Sequence, residues 1–175
     1  MNKKGEKNNM ENLSTLTVDP NGKLIIENAR IIYRNFSGLA TQYNREGDRN
    51  FCVFIDDVDA VADLKEAGWN IKIRKPRDED DAVSHYLKVN VSYRFRAPRI
   101  ILHTRKTATE LTEESVGLVD NADILSCDMV INPSHWEANG NSGISAYLDT
   151  MHINIQDDYF ADKYAKAFAD EGPEE

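Results

Sequence analysis

Residues 86–96, YLKVNVSYRFR, decide how this chain is read. Leu87, Val89, Val91, Tyr93 and Phe95 fall on one face, and Tyr86, Lys88, Asn90, Ser92, Arg94 and Arg96 on the other. A period of two is that of a β-strand with one side in a core and the other in water. The wet side here is basic. Upstream, Trp69, Ile71 and Ile73 alternate with Asn70, Lys72 and Arg74 before Pro76 ends the run, so a second strand with a cationic outer face precedes the first.

Working outward, the stretch LIIENARIIYRNF (24–36) reads as a strand whose alternation falters near Ala29, which predicts a bend or bulge. A turn-rich connection, SGLATQYNREGDRN, leads to a strand over Asn50–Ile55. Asp56 and Asp57 can cap a helix in which Val58, Val61, Ala62 and Leu64 form the apolar side and Gly68 the stop. The DEDDAVS loop (78–84) is too mobile a setting for its acids to hold a metal. Pro98 breaks the long strand before Ile100–Leu102, and a helix-prone segment spans Thr112–Asp120. Two last strands, around Met129–Ile131 and over Ile144–Ile155, meet at an Asn139–Gly140 turn.

About six short strands, one or two short helices and no βα alternation predict a mostly β domain. An OB-like antiparallel β-barrel is the simplest fit, with a sandwich as the alternative. Residues 1–22 are expected to be a flexible leader, 23–156 the barrel and 157–175 an acidic tail; at 175 residues a second full domain is not expected. No run approaches the roughly 18 apolar residues of a membrane span. Cys52 and Cys127 lie alone in apolar runs and are expected as reduced, buried thiols.

A net charge of −9 argues at first against nucleic acid, whose phosphates are bound by Lys and Arg. The average hides a segregation. Residues 30–106 carry fifteen Lys/Arg against eleven acids, whereas residues 107–175 carry two against fifteen. Such asymmetry points to a nucleic-acid surface joined to an acidic segment, or simply to acidic loops that keep the protein in solution.

The same basic segment interleaves aromatic rings with its cations, the combination a single strand requires: unstacked bases lie on rings while cations follow the phosphates. The candidate nucleic-acid-binding residues are Tyr33, Arg34, Arg49, Lys72, Arg74, Lys75, Tyr86, Lys88, Arg94, Arg96, Arg99 and Trp136. Phe51, Tyr93 and Phe95 share phase with Val and Leu and are assigned to the core instead. Trp136, beside a flexible turn, suits a ligand clamp or a cover over the barrel mouth, and Tyr147 has the same two readings. Catalytic and metal signals are missing: His85, His103, His135 and His152 are scattered, no CxxC or HxxxH occurs, and there is neither a Gly-rich phosphate loop nor a nucleophile elbow. No catalytic residue, cofactor or metal is assigned.

The segments IENARIIYRNFSG, YNREGDRNFCVFI, GWNIKIRKPRDEDD, YLKVNVSYRFRAPRIIL and INPSHWEANGNSGISAYLDTMHI together resemble a group of small phage-encoded single-stranded DNA-binding proteins with an OB-type fold. The likeness spans roughly residues 24–160. It implies a non-catalytic protein of phage replication or recombination in the bacterial host cytoplasm, with single-stranded DNA as its partner. Phage or host replication proteins could join through the acidic tail, and a homo-oligomer is compatible with the sequence. The tail departs from many single-strand binders by ending Gly172-Pro173-Glu174-Glu175, without a terminal aromatic. The competing reading is a protein-interaction module or host-factor inhibitor acting through its acidic surface; a nuclease is a weaker third.

Overall fold

The alternation centred on Val89 becomes a strand, but one that ends sooner than its sequence implies. In the computed structural model, which describes residues 13–156, the order is β1 (Thr15–Val18), β2 (Leu24–Ala29), β3 (Ile31–Asn35), β4 (Arg49–Ile55), helix α1 (Val58–Ala67), β5 (Ile71–Arg74) and β6 (Ser84–Val91). There follow β7 (Arg99–His103), β8 (Ala108–Leu111), a 3-10 helix (Val116–Asn121), β9 (Ile124–Ala138) and β10 (Asn141–Ile155). The strands form one sheet with the path β1-β2-β9-β10-β6-β4-β3, with β5 added beside β6 and the β7–β8 pair beside β10.

Apart from β1, which pairs on the outside of β2, the two ends of that path are consecutive pieces of chain. β2 pairs with β9 and β3 with β4, while Arg30 alone separates β2 from β3. The sheet thus curls until its ends meet along one bent segment, joined covalently rather than by hydrogen bonds between β2 and β3. Two irregularities make the bend. The register shifts between Ile26 and Ala29, where Asn28 has φ 56°, and again between Ile32 and Asn35, where Tyr33 has φ 55°. Bulges of this kind bend and twist a strand sharply. The expected bend near Ala29 is there, and the result is an OB-like, partly open barrel.

Inside, Phe36 and Phe51 stack at 5.0 Å with planes 10° apart, both fully buried, among Leu24, Ile26, Val53, Val89, Ile131 and Ile153. Helix α1 closes on this core through Val61 and Leu64. Its ends are those expected: the Asp57 carboxylate accepts from the backbone of Asp59 and Ala60, and Gly68 at φ 113° lets the chain turn out of the helix. Asn139 (φ 52°) and Gly140 (φ 81°) form the β9–β10 turn, both in the left-handed region that a tight hairpin requires. His103 and His152 share a hydrogen bond of 2.8 Å across the β7–β10 seam. Among the described residues no helix is long and apolar enough to cross a membrane.

Four expectations need correction. The barrel is not wholly antiparallel, because β10 runs parallel to both β6 and β7. Residues 13–22 are not leader: β1 pairs with β2, Leu16 packs on the core, and the Asp19 carboxylate accepts from the backbone of Asn21 and Lys23 to close the turn between them. The helix-prone segment near Thr112 is a turn followed by the 3-10 helix. Last, β6 stops at Val91, so Tyr93 and Phe95 leave the sheet; Tyr93 still packs half-buried against the core as expected, whereas Phe95 is fully exposed. The expected acidic tail, 157–175, lies outside the described residues, as does the leader up to residue 12.

Candidate nucleic-acid interface

β6 is flanked by β4 along its length, by β5 beside its first half and by β10 beside its end. Side chains of register partners stand on the same face, so the outer face of this region can be read row by row. Arg74 lies beside Ser84; Lys72, Tyr86 and Phe54 form the next row; Lys88 and Cys52 the third; Asn50, Asn90, Tyr147 and Asn132 the fourth. The outer face therefore joins aromatic rings, amides and cations contributed by five strands.

At the first rows the Tyr33 ring meets Tyr86 edge-on at 6.0 Å, and the Arg30 guanidinium covers Phe54 at 4.8 Å from its centroid. Tyr33 is half-exposed, in a left-handed backbone conformation that is costly for a bulky residue. Burial raises the Tyr86 phenol above its ordinary value, with Cys52 and Tyr33 adding to the shift and Arg74 opposing it. Burial likewise raises the Cys52 thiol, against the lowering pull of Lys72 and Lys88.

Beyond Lys88 the face deepens into a groove of about 880 Å³. Its floor includes Asn90, Asn132 and Tyr147; Arg45 and Arg49 come from the β3–β4 connection and the start of β4, and Arg94, Phe95 and Arg96 from the bend after β6. Five cations, Arg45, Arg49, Lys88, Arg94 and Arg96, thus line a groove with three acids, Glu46, Asp48 and Glu113. Arg49 lies over the Tyr93 ring at 5.5 Å and within 3.6 Å of Glu113. Burial raises the Tyr93 phenol, Arg49 opposing and Glu113 and Glu114 adding to the effect. Among the described residues neither Arg49 Nε nor the Tyr93 hydroxyl, both buried, has a hydrogen-bond partner, so Arg49 retains donor capacity there.

The predicted residues therefore divide. Tyr33, Lys72, Arg74, Tyr86 and Lys88 come together on the outer face, with exposed Lys75 just past the end of β5. Arg49, Arg94 and Arg96 join Lys88 in the groove. Three do not belong to this surface. Arg34 Nη1 donates to the carbonyls of Val119 (2.9 Å) and Ala122 (2.7 Å), holding the 3-10 helix. Arg99 sits on β7 beside Glu110 at 3.6 Å. The Trp136 ring lies over Gly143, where an added Cβ would come within 2.8 Å of it, in a separate crevice with Glu66 and Gly68. Arg45, Asn50, Asn90, Asn132 and Phe95 are not among the candidates chosen from sequence, although Arg45 and Phe95 lie where cations and rings interleave and Phe95 was assigned to the core. For Asn90 a signal existed, since it occupies the outer phase of β6; for Asn50 and Asn132 only strand pairing reveals the shared row.

Comparison with known proteins bears on the family and the fold. A family model described as "Putative phage ssDNA-binding domain" matches residues 14–172. One similar solved structure is the single-stranded DNA-binding protein from bacteriophage Enc34 in complex with ssDNA: 14% identity, TM-score 0.52, covering 83% of this chain and 93% of that one. A second structure of the Enc34 protein gives 13% identity, TM-score 0.51 and coverage of 89% and 99%. At such identities these matches show a shared fold. No curated protein matches the sequence. With the family model spanning residues 14–172, the chain belongs to the phage single-stranded DNA-binding domain family.

Proposed function

We propose that this protein binds single-stranded DNA along the outer face of β5, β6 and β4 and in the groove that continues it, without catalysis. The observation that carries the reading is the joining, on one surface, of the Tyr33–Tyr86 ring pair with Lys72, Arg74 and Lys88, continuous with a groove holding Arg45, Arg49, Arg94, Arg96 and Tyr147. Ring faces stack on unpaired bases and cations follow phosphates; both features are common to every nucleotide, so sequence preference is slight. In an OB-type barrel the face of the second and third strands is where oligonucleotides lie, and here those strands are β4 and β6. The Enc34 protein of similar fold has been seen with ssDNA. The setting that fits is phage replication or recombination in the bacterial cytoplasm, with the acidic segment from 157 competing for the groove or meeting partner proteins.

Fluorescence anisotropy with labelled oligonucleotides tests this. Binding is expected to be tighter for single than for double strands, and log K should fall with log salt by about 0.7 for each phosphate contact. Absence of binding at low salt, in the full chain and after removal of residues 157–175, would falsify the reading.

A further inference from the structure

Phe95 is fully exposed, between Arg94 and Arg96, on a bend that lines the groove. Its phase in the sequence is that of Val89 and Val91, which are buried, so a longer β6 would carry it inward. Instead the strand ends at Val91; the chain turns, with Arg94 N 3.4 Å from the Ser92 hydroxyl, and delivers the ring to water. A phenyl ring left in water forfeits the burial that makes it useful to a fold. A ligand covering it must offer a flat apolar face to the ring and negative charge to the two guanidinium groups beside it. An unpaired nucleotide offers both, whereas a duplex hides its base faces in the stack.

We infer that Phe95 is a base-stacking residue, taking the face of one unpaired base at the rim of the groove while Arg94 and Arg96 hold the adjoining phosphates. This rests on the proposed single-strand interface and adds a discriminating contact to it. Through Phe95 the protein distinguishes single from double strands by ring face, and not by charge alone.

The test compares wild-type, Phe95→Ala and Arg94→Ala proteins on two oligonucleotides of about 16 nucleotides, one of thymidines and one with the same backbone but abasic throughout. Stacking is worth about 5- to 150-fold in affinity per base. Phe95→Ala should therefore weaken binding to the thymidine strand by a factor in that range and leave the abasic strand nearly unaffected. Arg94→Ala should weaken both alike. Because the ring touches little in the fold, Phe95→Ala should unfold at the wild-type temperature. In Phe95→Trp, thymidine strands should quench fluorescence beyond the response of the two native tryptophans, and abasic strands should not. Equal affinity of wild type and Phe95→Ala for the thymidine strand overturns the assignment while leaving the interface standing. Failure of the wild type to bind either strand removes both.

Discussion

Cys127 shows how a single buried group links the fold to pH. It is fully buried in β9, and its thiol is pushed up to about 12 from an ordinary 9.0, first by burial, then by the Asp128 carboxylate, with Arg34 opposing. Between these values the unfolded chain gives up the proton and the folded chain keeps it, so stability falls as pH rises. The loss runs at about 1.4 kcal/mol per pH unit for this group, begins near pH 9 and is complete near 12. Cys127→Ala should be less stable than wild type at pH 8, because a well-filled site loses its sulfur. Urea titrations at pH 8 and 10.5 should show that gap narrowing, since the variant has no thiol to ionise. A gap independent of pH would mean that the thiol titrates alike in both states. Burial of Cys127 was legible from its apolar run. The exposure of Phe95 was not: its phase is that of a core residue, and periodicity cannot report where pairing partners run out. β6 loses its ladder after Val91, where β4 begins at Arg49.

At the scale of elements, helix α1 and the β9–β10 turn were legible because Asp57, Gly68 and Asn139–Gly140 impose local backbone geometry. The base of the β3–β4 connection was not, since its order comes from residues more than eighty positions away. The Asp120 carboxylate accepts from Phe36 N (2.6 Å), Ser37 N (3.1 Å) and the Ser37 hydroxyl (2.6 Å), while Arg34 grips the carbonyls of Val119 in the same 3-10 helix and of Ala122, which caps its end. That is why Arg34, chosen from sequence as a DNA contact, is a structural tether. Gly117 fits closely there, for an added Cβ would meet the Ser37 hydroxyl at 2.8 Å. Hydrogen bonds to a charged group are each worth about 1.5–3 kcal/mol. Asp120→Ala is therefore expected to lower unfolding stability by about 2 kcal/mol, partial exposure reducing the sum. The same connection carries Arg45 into the groove, so affinity for single strands should fall a few-fold in this variant, measured by anisotropy. A stability unchanged within about 0.5 kcal/mol would show that the tether is dispensable.

For the whole molecule, segregated charge was the first pointer to function, and the structure makes it local. Sequence spacing assigned cations to the wet faces of two strands; pairing β5 with β6 and β6 with β10 sets those faces side by side, and the turn after Val91 adds Arg94 and Arg96. What sequence could not supply was the closure through β2 and β3, because it depends on left-handed residues, Asn28 and Tyr33, that are not glycine. If the groove and not the net charge of −9 governs binding, two substitutions of equal size should behave differently. Lys88→Ala removes a cation at the junction of face and groove, and should reduce the steepness of log K against log salt by about 0.7, as expected for one lost phosphate contact on a single strand. Asp63→Asn removes an exposed acid from helix α1, outside the groove lining. It raises the net charge by one but should leave the slope unchanged, because at about 0.15 M salt a charge beyond roughly 8 Å is largely screened. Titrations between about 50 and 200 mM salt span the range in which such contacts change affinity strongly. Equal and opposite changes in the two variants would make the whole-molecule charge the controlling quantity, and the groove no more than one part of it.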